Sequence, residues 1–422
     1  MAKITRVRFK NGLRLLVVPR EDSLTTTVAV LVAAGSKYET KEINGLSHFL
    51  EHMCFKGTKK RPRPIDIASE LDGMGAHYNA FTSHEYTSYY AKVKNSAFKS
   101  AFDVVSDLYL HPTFRQEDIE VERGVITEEI NMYEDTPRSK IGDVFMELLY
   151  GDQPAGWNIA GPKENILKLT KEDFISYRAK NYLPEATVVV VAGGITPSRA
   201  IAAVREEFGI LKRGKKMQKL KVIEAQKKPR EKIITKKLEQ THLVLGVRAF
   251  DMYDKRRYAL SVLAEVLGGG MSSRLFKRVR DELGAAYYVG ASPDLFSDHG
   301  FLSVSAGVDN KKVETVIGVV LEELARFKKE KVGEKELEKA KEHIVGDLFL
   351  SVETSDAIGY FYGGQEIMDV KLTSPQEAAR RIKKVTAGEV QKVAEDIVTR
   401  EGLNLALIGP FKERSFLDIL KV

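Results

Sequence analysis

The chain has 422 residues, with 43% hydrophobic and 30% charged residues, which is enough for two or three domains with their own cores. No apolar run reaches the roughly 18 residues of a membrane span, and residues 1–5 show no signal-peptide pattern, so we expect a cytoplasmic protein without membrane contact. The net charge of +7 is partly a Lys-rich stretch without interleaved aromatic residues, which disfavours nucleic-acid binding. The single cysteine, Cys54, excludes an internal disulfide and is interpreted as packed.

The first half of the chain predicts alternating strands and helices. Strands are expected at 7–10, 13–18 and 25–34, a hairpin at 76–91, and helices at 65–74, 97–110 and 116–133. A further helix, between the third strand and residue 65, carries the segment His48-Phe49-Leu50-Glu51-His52. The half therefore mixes helices with a sheet that is largely antiparallel.

Two histidines and a glutamate share one helical face in this segment. His48, Glu51 and His52 occupy positions i, i+3 and i+4, which lie one above the other on a helix. Two imidazoles on one face can bind a single metal ion, and a carboxylate between them can reach a water on that ion. The pattern reverses the His-Glu-x-x-His motif of zinc peptidases and predicts a metal site.

The second half repeats the order of the first. Strand, helix, helix, strand, strand, helix and helix are expected at 242–249, 258–267, 274–283, 287–292, 301–308, 311–328 and 334–350. We therefore predict an α+β fold of two homologous domains related by internal duplication, each a mostly antiparallel mixed sheet with helices on one side. The expected boundaries are 1–211 for the metal-bearing domain, 212–232 for a basic linker and 233–422 for the second domain.

The two copies differ at the metal motif. Val262 and Val266 of the second copy stand opposite His48 and His52, so the fold accepts apolar residues at both positions. Space filling does not explain the two histidines. A catalytic zinc ion has three protein ligands, and spacing alone leaves open which carboxylate supplies the third. The acidic residues in and beside helix 116–133 are Glu117, Asp118, Glu120, Glu122, Glu128, Glu129 and Glu134.

Several segments resemble the pitrilysin/insulinase family of inverted-motif zinc peptidases, in particular members similar to mitochondrial processing peptidase. They are 45–58 around the histidines, 79–83, 122–129 and the glycine-rich 268–276, and the resemblance spans nearly the whole chain. It implies one zinc ion per chain, held by His48, His52 and Glu129, with Glu122 supporting the site. It also implies that Glu51 activates the zinc-bound water.

The resemblance further implies how a peptide is held. Asn79, Ala80, Phe81 and Thr82 correspond to the family's edge strand, which binds an extended substrate by β-augmentation. Arg280 and Tyr287 correspond to an Arg and Tyr pair in which tyrosine stabilises the oxyanion and arginine holds a substrate carbonyl. The neighbouring Tyr288 stays open as the alternative to Tyr287.

The resemblance also implies an assembly. Single-chain members with four such domains close around a chamber, whereas this chain has two, so we expect a homodimer, with a heterodimer of related chains as the alternative. The expected activity is zinc-dependent endopeptidase or oligopeptidase cleavage of peptides or unfolded segments. The alternatives are a maturation or processing peptidase for one specific peptide and a non-catalytic structural subunit.

Overall fold

A computed structural model describes residues 4–422. Residues 1–3, part of the segment expected to lack a signal peptide, lie outside the described residues. The strands are β1 (Thr5–Arg8), β2 (Arg14–Pro19), β3 (Thr25–Val32), β4 (His77–Thr82), β5 (Thr87–Lys94), β6 (Thr187–Gly193), β7 (Arg230–Thr235), β8 (Gln240–Ala249), β9 (Ala286–Leu295), β10 (Gly300–Asp309) and β11 (Leu403–Gly409).

Fourteen α-helices among the described residues connect or flank these strands along the chain. They are α1 (Leu46–Cys54), α2 (Pro64–Gly73), α3 (Phe98–Leu110), α4 (Gln116–Glu134), α5 (Pro137–Tyr150), α6 (Lys163–Ile166), α7 (Lys171–Asn181), α8 (Pro197–Phe208), α9 (Arg257–Gly268), α10 (Val313–Lys329), α11 (Glu334–Ser351), α12 (Ser355–Ile367), α13 (Pro375–Lys383) and α14 (Ala387–Ile397). The helix expected at 274–283 is a π-helical segment, Phe276–Glu282. No helix among residues 4–422 has the length and hydropathy needed to cross a bilayer.

The strand order confirms the internal duplication. The first sheet runs β1-β2-β6-β3-β5-β4 and the second runs β7-β11-β8-β10-β9. Leaving β1 aside, each strand of one sheet has a counterpart at the same place in the other. Among the described strands, the parallel pairs are β2 with β6 and β7 with β11, and these two pairs are also counterparts. The prediction of two related α+β domains with mostly antiparallel mixed sheets is therefore confirmed.

The chain divides into two compact units, each of which contains one helix from the other half of the sequence. The first unit contains residues up to 131, 157–220 and 350–373, and the second contains 132–156, 221–349 and 374–422. Helix α12 comes from the second half of the sequence but packs on β6, β3 and β2 of the first unit. Helix α5, from the first half, packs on β11, β8 and β7 of the second. The predicted boundaries near 211 and 233 follow the repeat in the sequence. They do not account for the exchange of α5 and α12.

Apolar contacts explain the positions of both exchanged helices. In α12, Gly359 and Gly363 face Val190 of β6, where an added Cβ would lie 3.6 and 2.9 Å from its methyl groups. In α5, Phe145 packs with its ring centroid 5.4 Å from that of Phe301 on β10. These two helices were not predicted from the sequence. Each of them packs on a sheet formed by strands from the other half of the sequence.

Candidate metal centre

Helix α1 carries the two histidines, and its first turn is fixed by a buried carboxylate. Glu39, 3% exposed, accepts hydrogen bonds from the backbone amides of Gly45 at 2.9 Å and Ser47 at 2.6 Å. Gly45 has a φ of +102°, and a Cβ there would lie 2.5 Å from the carbonyl oxygen of Ala160. The sequence at this turn therefore sets where α1 begins and which of its faces meets α4. The spacing of the histidine motif did not predict this role of Glu39.

The structure brings His48, His52 and Glu129 together. One ligand atom of each lies within 4.8 Å of the other two, and Oε2 of Glu129 is 3.6 Å from Nε2 of both histidines. Ligand atoms about 2.1 Å from a tetrahedral zinc ion are about 3.4 Å apart. The donor set of two imidazoles and one carboxylate suits zinc, so the three residues form a possible metal site. Residues 4–422 contain no other group of three such ligands.

Glu122 binds the ring nitrogen of His52 that does not face Glu129. Its Oε1 accepts a hydrogen bond from Nδ1 of His52 at 2.8 Å, which leaves Nε2 of the ring directed toward Glu129. Glu122 and Glu129 are seven residues apart and lie on the same face of α4. Neighbouring Glu128 points elsewhere: its carboxylate is exposed and accepts a bond from the amide of Asn131 at 3.3 Å.

The protonation of the histidines follows from their surroundings. Burial, together with the nearby His52, lowers the pKa of His48 to about 3, so this ring is neutral at ordinary pH and free to ligate. Burial also acts to lower the pKa of His52, but the hydrogen bond to Glu122 and the nearby carboxylates outweigh it and raise the pKa overall. Burial likewise acts against the ionised form of Glu122, yet His52 and Lys56 lower its pKa.

Glu51 lies beside this cluster and is held by the edge strand. Its Oε2 accepts a hydrogen bond of 2.6 Å from the hydroxyl of Thr82, at the end of β4. Burial raises the pKa of Glu51, and the bond from Thr82 offsets part of that rise. A carboxyl group with a raised pKa, next to a possible metal site, is suited to take up and release a proton.

The predicted substrate strand is at the edge of its sheet. β4 pairs with β5 alone among the described strands. Asn79 is exposed, Ala80 is 8% exposed, and the ring of Phe81 packs on Tyr86 and Tyr360 at centroid distances of 5.6 Å. Thr82 turns inward to Glu51, a contact that the sequence did not predict. The outer edge of β4 remains a proposed peptide-binding edge.

Arg280 and Tyr287 lie in the second unit. The guanidinium of Arg280, in the π-helical segment, lies 5.0 Å from the centroid of Phe276, and Tyr287 on β9 is 77% exposed. Tyr288 is engaged instead: its hydroxyl lies 3.0 Å from Nδ1 of His242, and Arg138 covers its ring at 4.4 Å. The structure therefore leaves Tyr287, of the two tyrosines, with a free side chain. Val262 and Val266 are buried in this unit, as expected for a copy without metal ligands.

Comparison with known proteins agrees with the fold and places the chain in a family. Residues 16–163 match the family model described as "Insulinase (Peptidase family M16)", and residues 168–344 match one described as "Peptidase M16 inactive domain". An uncharacterized zinc protease of Bacillus subtilis is 36% identical over 408 residues, covering 96% of this chain and 98% of the relative. An uncharacterized zinc protease of Mycobacterium tuberculosis is 36% identical over 408 residues, covering 96% and 93%.

A solved protease structure from Helicobacter pylori has the same fold, with a TM-score of 0.91 at 22% identity, covering 97% of this chain and 99% of that one. Within residues 4–422, one of the two related α+β units has a His-His-Glu cluster and the other has none, as expected for a metallopeptidase-like protein. The chain belongs to the insulinase family, peptidase family M16.

Proposed function

We propose that the chain is a zinc-dependent endopeptidase or oligopeptidase that cleaves peptides or unfolded segments. The observation that carries the proposal is the meeting of Glu129 Oε2 with both histidine Nε2 atoms at 3.6 Å, beside a carboxylate held by an edge strand. The zinc-protease names of the relatives support it. We further propose one zinc ion per chain, in agreement with the one cluster among residues 4–422.

The proposed mechanism uses the residues around the cluster in separate roles. A zinc ion bound by His48, His52 and Glu129 would supply a Lewis acid and an acidic water. Glu51 takes the proton of the attacking water and returns it to the leaving amine. Thr82 holds Oε2 of Glu51 and so fixes the position of this carboxylate. Glu122 keeps His52 in the tautomer that presents Nε2.

The substrate would bind as an additional strand on β4. Asn79 offers side-chain hydrogen bonds, and the small Ala80 allows a second backbone to approach closely. Recognition through the backbone is compatible with many sequences. Tyr287 would donate to the oxyanion and Arg280 would hold a substrate carbonyl. We propose that these two residues act in a homodimer with a closed chamber. Light scattering gives the oligomeric state of the purified chain, and a fully active monomer would contradict this assembly.

A metal analysis combined with peptide digestion tests the proposal. The purified chain should hold one equivalent of zinc and cleave short peptides or unfolded proteins, and Glu51→Gln should reduce cleavage by 10²–10⁴-fold while zinc remains. A wild-type chain that holds zinc but cleaves nothing would favour a non-catalytic subunit. Cleavage of one peptide alone would favour a maturation or processing peptidase.

A further inference from the structure

We propose that Lys56 is a positioning residue of the metal centre, acting on His52 through Glu122. The inference rests on the proposed zinc site and extends it to a residue outside the ligand set. Lys56 lies two residues after the end of α1, and its ammonium forms an ion pair with Oε2 of Glu122. The other oxygen, Oε1, binds Nδ1 of His52 at 2.8 Å.

The two oxygens of Glu122 thus have one partner each. The Glu122 side chain is 3% exposed, so neither oxygen has ready access to solvent. A buried carboxylate is costly unless it is paired and hydrogen-bonded. With Lys56 on Oε2, the plane of the carboxylate is fixed and Oε1 is held in line with the imidazole. Without that ammonium, the carboxylate is free to rotate away from Nδ1, and the ring of His52 loses its orientation.

The backbone of Lys56 is itself fixed between α1 and α4. Its amide donates to the carbonyl of Met53 at 3.2 Å, at the last turn of α1. Its carbonyl accepts a bond of 3.4 Å from Nη2 of Arg115, whose Nε donates to Asp118 in the first turn of α4 at 2.7 Å. The segment that carries Lys56 is therefore tied to both helices that supply metal ligands. This placement is what a residue needs in order to set the distance between His52 and Glu129.

Zinc affinity separates this role from a general contribution to stability. Lys56→Met removes the ammonium and keeps the aliphatic chain, and we expect it to weaken zinc binding by 10–100-fold in competition with a chromophoric chelator. Lys56→Arg, which keeps a cation, should restore most of the affinity. Lys59→Met is the matched control, because Lys59 is exposed on the same segment, and it should bind zinc like the wild type.

The double variant with Glu122→Gln tests whether Lys56 acts through Glu122. Because the amide no longer needs the ammonium, Lys56→Met in the Glu122→Gln background should weaken zinc binding little further. Equal zinc affinity of Lys56→Met and the wild type, or fully additive losses in the double variant, overturns the inference. If Lys56→Met does not fold, as judged from the circular dichroism of the metal-free chain, Lys56→Gln is measured by the same criteria. A wild-type chain that binds no zinc contradicts the proposed function instead.

Discussion

The hydroxyl of Thr82 donates a hydrogen bond of 2.6 Å to Oε2 of Glu51. The last residue of the edge strand therefore holds the carboxylate that lies beside the candidate metal site. The sequence placed Thr82 among the residues that bind substrate. The contact gives it a second role, since strand β4 and helix α1 are joined at the point where substrate and proton transfer would meet. Positioning Glu51 would affect kcat, whereas contacting the substrate would affect KM.

Thr82→Val keeps the shape of the side chain and removes the donor. We expect kcat to fall about tenfold, corresponding to the loss of one hydrogen bond of about 1.4 kcal/mol, with little change in KM or zinc content. Thr82→Ser, which keeps the hydroxyl, should retain most of the activity. Steady-state kinetics on one peptide distinguishes the roles: a change in KM alone would mean that Thr82 contacts substrate and does not position Glu51.

The pair Glu129 and Glu128 allows a matched test of the third ligand. Glu129 Oε2 is 3.6 Å from both histidine nitrogens, whereas Glu128 is exposed on the next position of α4. We expect Glu129→Gln to weaken zinc binding by at least about 100-fold, the upper end of the loss caused by a supporting residue. Glu128→Gln should bind zinc normally in the same chelator competition. Equal affinities for the two variants would remove Glu129 from the ligand set.

The two predicted histidine ligands followed from short-range geometry, whereas the predicted glutamate ligand followed from the family resemblance. His48 and His52 are four residues apart on one helix, and the resemblance of 122–129 to a known family pointed to one glutamate among several. Helical spacing then placed Glu122 and Glu129 on one face. The order of elements along the chain and the duplication also followed from patterns within each half of the chain.

Contacts between distant segments could not be predicted in the same way. The bond from Thr82 to Glu51 depends on how β4 packs on α1, and the ion pair of Lys56 with Glu122 depends on how α1 packs on α4. The exchange of α5 and α12 could not be predicted from the sequence for a related reason. An amphipathic helix shows in its sequence which face is buried, but not which sheet it is buried against.

Tyr287 and Tyr288 offer a second matched pair. Tyr287 is 77% exposed, whereas the hydroxyl of Tyr288 is 3.0 Å from Nδ1 of His242. If Tyr287 donates to the oxyanion, Tyr287→Phe should lower kcat about 100-fold with a small effect on KM. Tyr288→Phe should keep its turnover and lose only the bond to His242. Reduced kcat in Tyr288→Phe, with normal kcat in Tyr287→Phe, would reverse the assignment.

Glu39 makes the stability of the first unit depend on pH. Its burial raises its pKa to about 7, although the hydrogen bonds from Ser47, Asn44 and Gly45 lower it in part. The folded chain therefore binds this proton more tightly than the unfolded chain, whose glutamate titrates near 4.5. The stabilisation by the protonated form is complete below about pH 4.5 and is lost as the pH rises through about 7.

Glu39→Gln removes that titration while keeping a side chain of the same shape. The free energy of unfolding of the wild type relative to Glu39→Gln should fall by about 3 kcal/mol between pH 4 and pH 8, from a pKa difference of about 2.5. Urea unfolding of the metal-free chains at several pH values measures this difference, and the titration of other groups cancels because both proteins share them. A difference that stays constant across this range would mean that the pKa of Glu39 is the same in the folded and unfolded chains. A difference that grows with pH would mean that its bonds to Gly45 and Ser47 outweigh its burial and lower its pKa.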